Sequence, residues 1–391
     1  MRSTFHRTTT IFTCCACISA FDLDDVELAP SVLPRHPDHA RCGEPSARLF
    51  IAVGFYGLAY RGLEFTLPSI EQHCFRILAK HGISFDLLVH TYFVTHAHAS
   101  GMGDSYLEPL DPYAVVRLRP CVLEMEDQAT VLADLKARIA LEGASLQDLW
   151  NDGLKSVHNY LLALRSLSRL AAIGRMRSAE IDRTYDAVLI LRADTLLTCD
   201  VDLPRLIPAL VQKGKSAFGR GPRELLCTAV WGAFGGVNDR LLIGTANATF
   251  TLMSMRQAVA QKNLFKGTHP ANGETLLRRV LVSIGIHRCA TSMVVQRLRP
   301  RMNSKNGFDI PRLDKLSYLR DELTQILSKR NKRSWWRTAG TKDDGVTAAK
   351  VCAMARSAAD AWNRKAITFV DCHGTICQQS SKNDSDGVAG F

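Results

Sequence analysis

The sequence lacks several features that would quickly assign it to a structural class. It has no run of about eighteen apolar residues away from its N-terminus, so we expect no internal membrane span. It contains no internal repeat, which argues against solenoid and propeller folds. It also lacks helix-turn-helix, zinc-finger and RNA-recognition motifs, so positive charge alone would support binding to nucleic acid.

Cysteine is present, but without a diagnostic arrangement. Twelve cysteines are scattered along the chain, and they resemble neither a zinc ribbon nor a dense disulfide framework. Cys372, His373 and Cys377 lie close together, but this group has no second ligand cluster and is weak evidence for zinc.

The composition is that of a globular protein with an uneven positive charge. The chain has 391 residues, 46% apolar and 22% charged, with a net charge of +11. Much of the excess follows residue 297, in RLRPRMNSK and SKRNKRSWWR. These residues fit a surface for nucleic acid, anionic membrane or polyanionic glycan, and they equally fit a solvated tail. We expect no specific nucleic-acid partner.

Residues 1–47 are predicted to form a leader and linker. In MRSTFHRTTTIFTCCACISAFDLDD, Arg2 and Arg7 precede a weakly apolar stretch. A signal peptide or short signal anchor would bring the protein into the secretory pathway or Golgi lumen, and an anchor would attach it to a membrane. A disordered leader is the alternative, and it would leave the protein cytoplasmic.

The ordered part is predicted to begin with a strand–helix–strand unit. RLFIAVGFYG (48–57) indicates a buried strand, FTLPSIEQHCFRILAKHG (65–82) a helix, and SFDLLVHTYFV (84–94) a second buried strand. Continuous apolar strands joined by a helix predict a mostly parallel, Rossmann-type sheet flanked by helices.

The same alternation continues along the chain. Helices are predicted at 127–143 and 154–177, and YDAVLILRADTLL (185–197) is predicted as one strand. Further elements are predicted in VDLPRLIPALVQKG (helix), KSAFGRG (strand), WGAFGGVNDRLLIGT (turn and strand), NATFTLMSMRQAVAQK and NGETLLRRVLVSIGI (helices), and HRCATSMVVQRLRP (strand). An α/β domain over 48–300 is therefore expected, followed by a basic helical extension and disordered tail over 301–391.

A histidine pair follows the second strand, in THAHASGMGD (95–104). His96 and His98 match the start of a dinuclear zinc hydrolase motif, but Ser100 and Gly101 stand where Asp and His should follow. One HxH supplies two ligands, and a catalytic zinc usually needs three. We expect this pair to lie in a polar loop, and a zinc hydrolase stays a minor alternative.

The strand at 185–197 ends in Arg192 and Asp194. Strand carboxyl ends in open α/β sheets point into the ligand crevice. There a carboxylate can hold a divalent metal against a diphosphate, and an arginine can neutralise phosphate charge. A simple cap on a surface turn explains both residues equally well.

Four blocks, in this order, resemble glycosyltransferase-like proteins with the GT-A nucleotide-sugar fold. They are IAVGFYGLAYRGLEFTLPSIEQHCFRIL, then FDLLVHTYF, then NYLLALRSLSRLAAI with YDAVLILRADTLL, and last WGAFGGVNDRLLIGT with NGETLLRRVLVSIGI. The resemblance covers residues 48–300. It implies transfer of a sugar from a nucleotide-sugar donor to a glycan or protein acceptor.

The resemblance also implies roles for individual residues around the nucleotide. Gly54, Gly57 and Arg61 would lie in the first loop, where glycines let the backbone approach the nucleotide and Arg61 meets a phosphate. Arg192 would be a further nucleotide contact. Asp194 would bind Mn²⁺ or Mg²⁺, which offsets the charge of the leaving diphosphate.

Two further carboxylates would carry the chemistry. Asp239 would face the sugar or acceptor, and Glu274 would act as general base on the acceptor hydroxyl. Asp239 also suits a plain Asn-Asp turn, and Glu274 suits a carboxylate at a helix N-terminus. Arg192 replaces the first Asp of the Asp-x-Asp motif of many GT-A enzymes, which weakens the metal assignment. A non-catalytic nucleotide- or glycan-binding protein on the same fold is therefore the main alternative.

Overall fold

The computed structural model describes residues 40–60, 62–98, 107–141, 154–214, 224–232, 237–265, 273–297, 301–303, 307–309, 316–328 and 347–371. Several predictions lie outside these residues: the leader up to residue 39, Arg61, the KSAFGRG strand, the Cys372–Cys377 group and the tail. For His96 and His98 only the backbone is described.

The strands are β1 (Phe50–Tyr56), β2 (Ser84–Phe93), β3 (His96–His98), β4 (Leu107–Pro109), β5 (Val122–Asp127), β6 (Ala187–Arg192), β7 (Thr195–Leu197), β8 (Leu225–Ala229), β9 (Leu241–Gly244), β10 (His287–Thr291), β11 (Val295–Arg297), β12 (Arg301–Asn303) and β13 (Gly307–Asp309). The helices are α1 (Leu63–Ile70), α2 (Arg76–Lys80), α3 (Gln128–Leu141), α4 (Lys155–Glu180), α5 (Leu203–Gly214), α6 (Ala246–Phe265), α7 (Gly273–Ser283), α8 (Leu316–Ser328) and α9 (Ala348–Asp371). A π-helical turn, Glu71–Phe75, joins α1 to α2, and a 3-10 helix spans Pro112–Leu118.

A central sheet of seven strands organises the molecule. Its order is β10-β8-β9-β6-β1-β2-β5. Only β9 runs against its neighbours β6 and β8, and the other pairings are parallel. This confirms the predicted mostly parallel sheet and the strand–helix–strand unit at its centre.

Helices cover both faces of this sheet, because its inner strands are apolar on both sides. On β1, Ile51, Val53 and Phe55 belong to a core shared with α1, α2, α5, α8 and α9. The alternate residues Phe50 and Ala52 belong to a second core shared with α4, α6 and α7. The two helices after residue 301 thus bury side chains in the same core as the predicted α/β domain.

Two predicted strands are each divided in the structure. YDAVLILRADTLL forms β6, then a turn at Ala193 and Asp194, then β7, which leaves the central sheet to pair with β11. HRCATSMVVQRLRP likewise splits into β10 and β11. The prediction of single strands was wrong because a continuous apolar pattern does not reveal where a chain turns from one sheet to another.

Two strands of the sheet were missed in the sequence. β5 alternates Leu123 and Met125 with Glu124 and Glu126. Because of the acidic residues this edge strand has no continuous apolar run, so it was not predicted. β8 is only LLCTA, too short to stand out. The expected loop at His96–His98 is also a short strand, paired antiparallel with β4.

Disulfides fasten both ends of the described chain to the sheet. Cys42–Cys121 ties the segment before β1 to the start of β5, and Cys199–Cys352 ties α9 to the segment after β7. Cys227–Cys289 joins the paired strands β8 and β10. These partners are 79, 153 and 62 residues apart, so their spacing in the sequence carried no signal. Among the described helices, none has the length and apolarity needed to cross a membrane.

Candidate functional site

The strand order creates a crevice at the carboxyl end of the sheet. From β1 the chain continues to β2 and β5 on one side, whereas β6, β9, β8 and β10 lie on the other. The carboxyl ends of β1 and β6, at Tyr56 and Arg192, are paired at this point. Ligands of open α/β sheets bind where the strand order reverses in this way. The switch point is therefore the expected position of a ligand-binding site.

Arg192 and Asp194 meet each other at this edge. Arg192 Nε donates to Asp194 Oδ1 at 2.9 Å, and Arg192 Nη2 donates to Asp194 Oδ2 at 2.7 Å. The Asp194 side chain is 6% exposed, whereas that of Arg192 is 32% exposed. The pair is thus a bidentate ion pair between a partly exposed arginine and a nearly buried carboxylate.

Asp239 reaches the same edge from another part of the chain. Asp239 directly precedes β9. Because β9 runs antiparallel to β6, the start of β9 lies at the carboxyl end of the parallel strands. Asp239 Oδ2 accepts from Arg256 Nη2 at 2.7 Å, and Tyr56 Oη donates to the Asp239 carbonyl at 3.4 Å. Arg256 also donates to the Gly273 carbonyl at 3.2 Å. The site is therefore joined to α6 and to the start of α7.

Buried polar bonds hold the segment that carries Asp239. Asn238 donates to the Trp231 carbonyl at 2.7 Å and accepts from the backbone N–H of Arg240 at 2.9 Å. Arg240 lies over the Trp231 ring, 5.5 Å from its centroid. These bonds fix the conformation of the segment around Asp239, whose carboxylate is bonded to Arg256.

Glu274 is the next carboxylate of the cluster, in the first turn of α7. Its backbone carbonyl accepts from the N–H of Val237 at 3.0 Å, which joins the helix start to the Asp239 segment. Burial raises the pKa of Glu274, and the negative charge of Asp239 raises it further. Burial alone would raise the pKa of Asp239 too, but the charge and hydrogen bond of Arg256 lower it below its ordinary value. The pKa values of the two carboxylates are therefore shifted in opposite directions. Enzymes distinguish a catalytic acid from a catalytic base by shifts of this kind.

Two tyrosines complete the cluster. Burial raises the pKa of Tyr56 to about 12, and burial also raises the pKa of Tyr160 to about 12. Both phenols therefore keep their protons at neutral pH and can act only as neutral hydrogen-bonding groups.

The predicted first-loop residues separate in the structure. Gly54 lies inside β1, where a Cβ would stand 2.7 Å from Leu170 Cδ2 and 2.8 Å from Ile190 Cδ1. It permits close packing of α4 on the sheet, and it is not in the loop that the resemblance implied. Gly57 is in the loop, with a φ of 82° and open space where a Cβ would stand. Arg61 lies outside the described residues.

The side chains at Asp194 do not suit a divalent metal. Asp194 uses both oxygens on Arg192, and Asp239 has an oxygen on Arg256. Mg²⁺ is usually bound through one or two carboxylates together with waters and substrate phosphates, and here both candidate carboxylates are already bonded to guanidinium groups. We therefore assign no catalytic step to a metal at this site.

A second polar cluster lies between β2, β5 and α4. His90, Glu124 and Glu126 offer ligand atoms within 4.8 Å of one another, as a metal site would. However, Arg169 donates to Glu124 at 2.7 Å, and Arg165 donates to Glu126 at 2.9 Å. A cation here would compete with two arginines already in place.

This second cluster instead supports the loop after β1. Ser166 Oγ accepts from the backbone N–H of Gly57 at 2.8 Å and lies 2.7 Å from His90 Nδ1. His90 Nε2 lies 3.1 Å from Glu126 Oε2. Hydrogen bonds with His90 and Arg165 outweigh burial and hold the pKa of Glu126 at about 2, so this carboxylate accepts from Nε2. The network thus fixes the Gly57 amide against α4.

Several residues of the first cluster were not predicted from the sequence, including Arg256, Arg240, Tyr56 and Tyr160. One signal was present for Arg256. It stands four residues after Leu252, on the buried face of an apolar helix, and it is 2% exposed. A charged residue in such a position needs a buried partner.

Comparison with protein-family models finds no match to this chain, and comparison with curated proteins also finds none.

Proposed function

We propose that this protein is a glycosyltransferase with a GT-A-like fold, which moves a sugar from a nucleotide-sugar to a hydroxyl of a glycan or protein acceptor. The mostly parallel sheet with helices on both faces is compatible with that fold. The observation that carries the proposal is the meeting of Arg192, Asp194, Asp239 and Glu274 around the switch point. They come from three separate segments of the chain.

In this proposal each group has a distinct part in the transfer. The donor diphosphate lies over the strand ends, near Arg192. The acceptor oxygen forms a bond to the anomeric carbon, while the bond from that carbon to the diphosphate oxygen breaks and its electron pair leaves with the diphosphate. The acceptor proton passes to Glu274, whose raised pKa suits a general base. Asp239, kept ionised by Arg256, orients the sugar or acceptor.

A non-catalytic nucleotide- or glycan-binding protein is the second candidate. Its specific support is that Asp194 and Asp239 are both engaged with arginines, as structural ion pairs would be. It predicts nucleotide binding without sugar transfer.

The first test is ligand-induced stabilisation of the oxidised full-length chain. We would follow its thermal midpoint with a panel of nucleoside diphosphates and nucleotide-sugars. A ligand at a hundred times its dissociation constant should stabilise the native state by about 2.7 kcal/mol. We expect a shift selective for one base, reduced in Asp194→Asn.

The matched control is Asp186→Asn. Asp186 lies directly before β6, at the amino end of that strand and away from the candidate site, and it also pairs with an arginine, Arg183. This variant should keep the ligand-induced shift. If folded protein shows no shift with any nucleotide, the transferase proposal fails. A shift without product when nucleotide-sugars are incubated with glycan or protein acceptors would favour the binding protein.

The disulfides support a location in an oxidising compartment. Three bonds form among the described cysteines, and such bonds persist mainly in secreted or lumenal proteins. We therefore propose the secretory pathway as the place of action, which agrees with the signal-peptide interpretation of the leader.

A further inference from the structure

The carboxylate expected to bind a metal is covered by an arginine. Asp194 is nearly buried, and both of its oxygens accept from Arg192. Arg192 is the partly exposed member of the pair, so it is more accessible to a ligand than the carboxylate is. A metal could reach Asp194 only by displacing this bidentate contact.

The bond with Asp194 presents Arg192 in a useful orientation. It occupies Nε and one hydrogen of Nη2, so the Nη1 group and the second hydrogen of Nη2 lie outside it. A planar guanidinium held in this way can donate to two oxygens of a phosphate. Asp194 therefore positions Arg192, because it prevents rotation of a long side chain.

The surrounding charges favour an anion at this place. Arg192, Arg240 and Arg256 all act on Asp239, which lies among them. Asp194 and Asp239 offset part of this positive charge. Burial and the charge of Asp239 raise the pKa of the remaining carboxylate, Glu274. Three guanidinium groups in one cluster are suitable partners for the oxygens of a diphosphate.

We infer that this protein binds the diphosphate of its donor without a divalent metal, through Arg192 held by Asp194. This rests on the proposed function, because it assumes a nucleoside diphosphate ligand. Arg192 stands where many GT-A enzymes have the first carboxylate of their metal motif. Here the substitution turns a metal-binding strand end into a phosphate-binding one.

The test is calorimetric titration of the oxidised full-length protein with UDP and with GDP, in EDTA and in Mn²⁺. For the nucleotide that binds, we expect dissociation constants that agree within about threefold in the two buffers. Arg192→Met should weaken binding by about tenfold or more in both, and Arg192→Lys should recover only part of the loss. Asp194→Asn should weaken it less than Arg192→Met.

Arg183→Met is the matched control, since Arg183 is also a partly exposed arginine paired with a nearby aspartate. It should leave nucleotide affinity unchanged, and thermal midpoints without ligand verify that each variant is folded. Binding only with Mn²⁺, lost in Asp194→Asn and retained in Arg192→Met, would overturn the inference while leaving the transferase proposal intact. Binding of neither nucleotide in either buffer would overturn the inference, and the transferase proposal fails as well if the whole panel of nucleotides gives no thermal shift.

Discussion

At the scale of single residues, Glu274 shows how environment assigns chemistry. Its place in the first turn of a helix is ordinary for a carboxylate, and an exposed one there would be stabilised by the helix dipole. Burial beside Asp239 raises its pKa instead. The residue therefore holds its proton more tightly in the folded protein than in the unfolded chain.

Glu274→Gln should increase stability relative to the wild type at neutral pH and decrease activity. Since the folded state binds this proton more tightly, the wild type loses stability as pH rises from the ordinary value of 4.5 through the raised folded pKa. The variant lacks this loss, so its advantage in urea unfolding should increase from pH 4.5 to neutral pH. Under the proposed function, sugar transfer should fall by about 10²–10⁴-fold, as for loss of a general base.

The matched control for this variant is Glu64→Gln, which changes an exposed carboxylate in the first turn of α1. It should show no comparable dependence of stability on pH. An equal pH response in both variants would contradict the assignment of Glu274 as a buried base.

Gly54 has a packing position in the structure and not the loop position that the resemblance implied. The resemblance implied a nucleotide loop, but the structure has this glycine inside β1 beneath Leu170. The sequence could not distinguish these parts, because a glycine near the end of a strand serves either purpose. Only the position of α4 decided it.

At the scale of elements, α9 protects the edge of the sheet. The Asn363 side chain donates to the Ala290 carbonyl and accepts from the Ala290 N–H, both at 2.9 Å. The amide therefore takes the place of a neighbouring strand beside β10. Unprotected edges invite pairing with other chains, and this contact occupies both backbone groups of Ala290.

Asn363→Ala should lower the free energy of unfolding by about 2 kcal/mol, because two hydrogen bonds to a buried backbone position are lost. Urea unfolding measures this change. Arg356→Ala, on the exposed side of the same helix, should change stability by less than about 0.5 kcal/mol. Equal stability of Asn363→Ala and wild type would show that α9 does not close this edge.

At the scale of the whole molecule, disulfides connect distant parts of the chain. Cys199–Cys352 closes a loop of 153 residues and holds α9 against the body of the protein. Cross-links across long loops stabilise mainly by restricting the unfolded chain.

Replacing Cys199 and Cys352 together with serine should lower stability by about 2–5 kcal/mol in urea unfolding of oxidised protein. Peptide mapping of the wild type without reduction should recover the two cysteines in one linked peptide. Alkylation of both cysteines in the denatured, unreduced protein would contradict this pairing.

The sequence by itself determined the class of the fold and much of its order. Long apolar runs predicted β1, β2 and β6, and helical periodicity predicted α4, α6 and α7, because these patterns reflect burial of each element against its neighbours. The pattern at the end of β6 predicted Arg192 and Asp194 as site residues, and the resemblance implied Asp239 and Glu274; the structure brings all four together at the carboxyl end of the sheet.

Only the tertiary structure decided how those residues are used. Whether Asp194 is free for a metal depends on the conformation of Arg192, and the acidity of Glu274 depends on Asp239, 35 positions earlier by residue number. The disulfide partners and the acidic edge strand β5 likewise depend on contacts between distant segments. Local patterns record which faces of an element are buried, whereas pairings and pKa values are set by neighbours that the folded chain alone brings together.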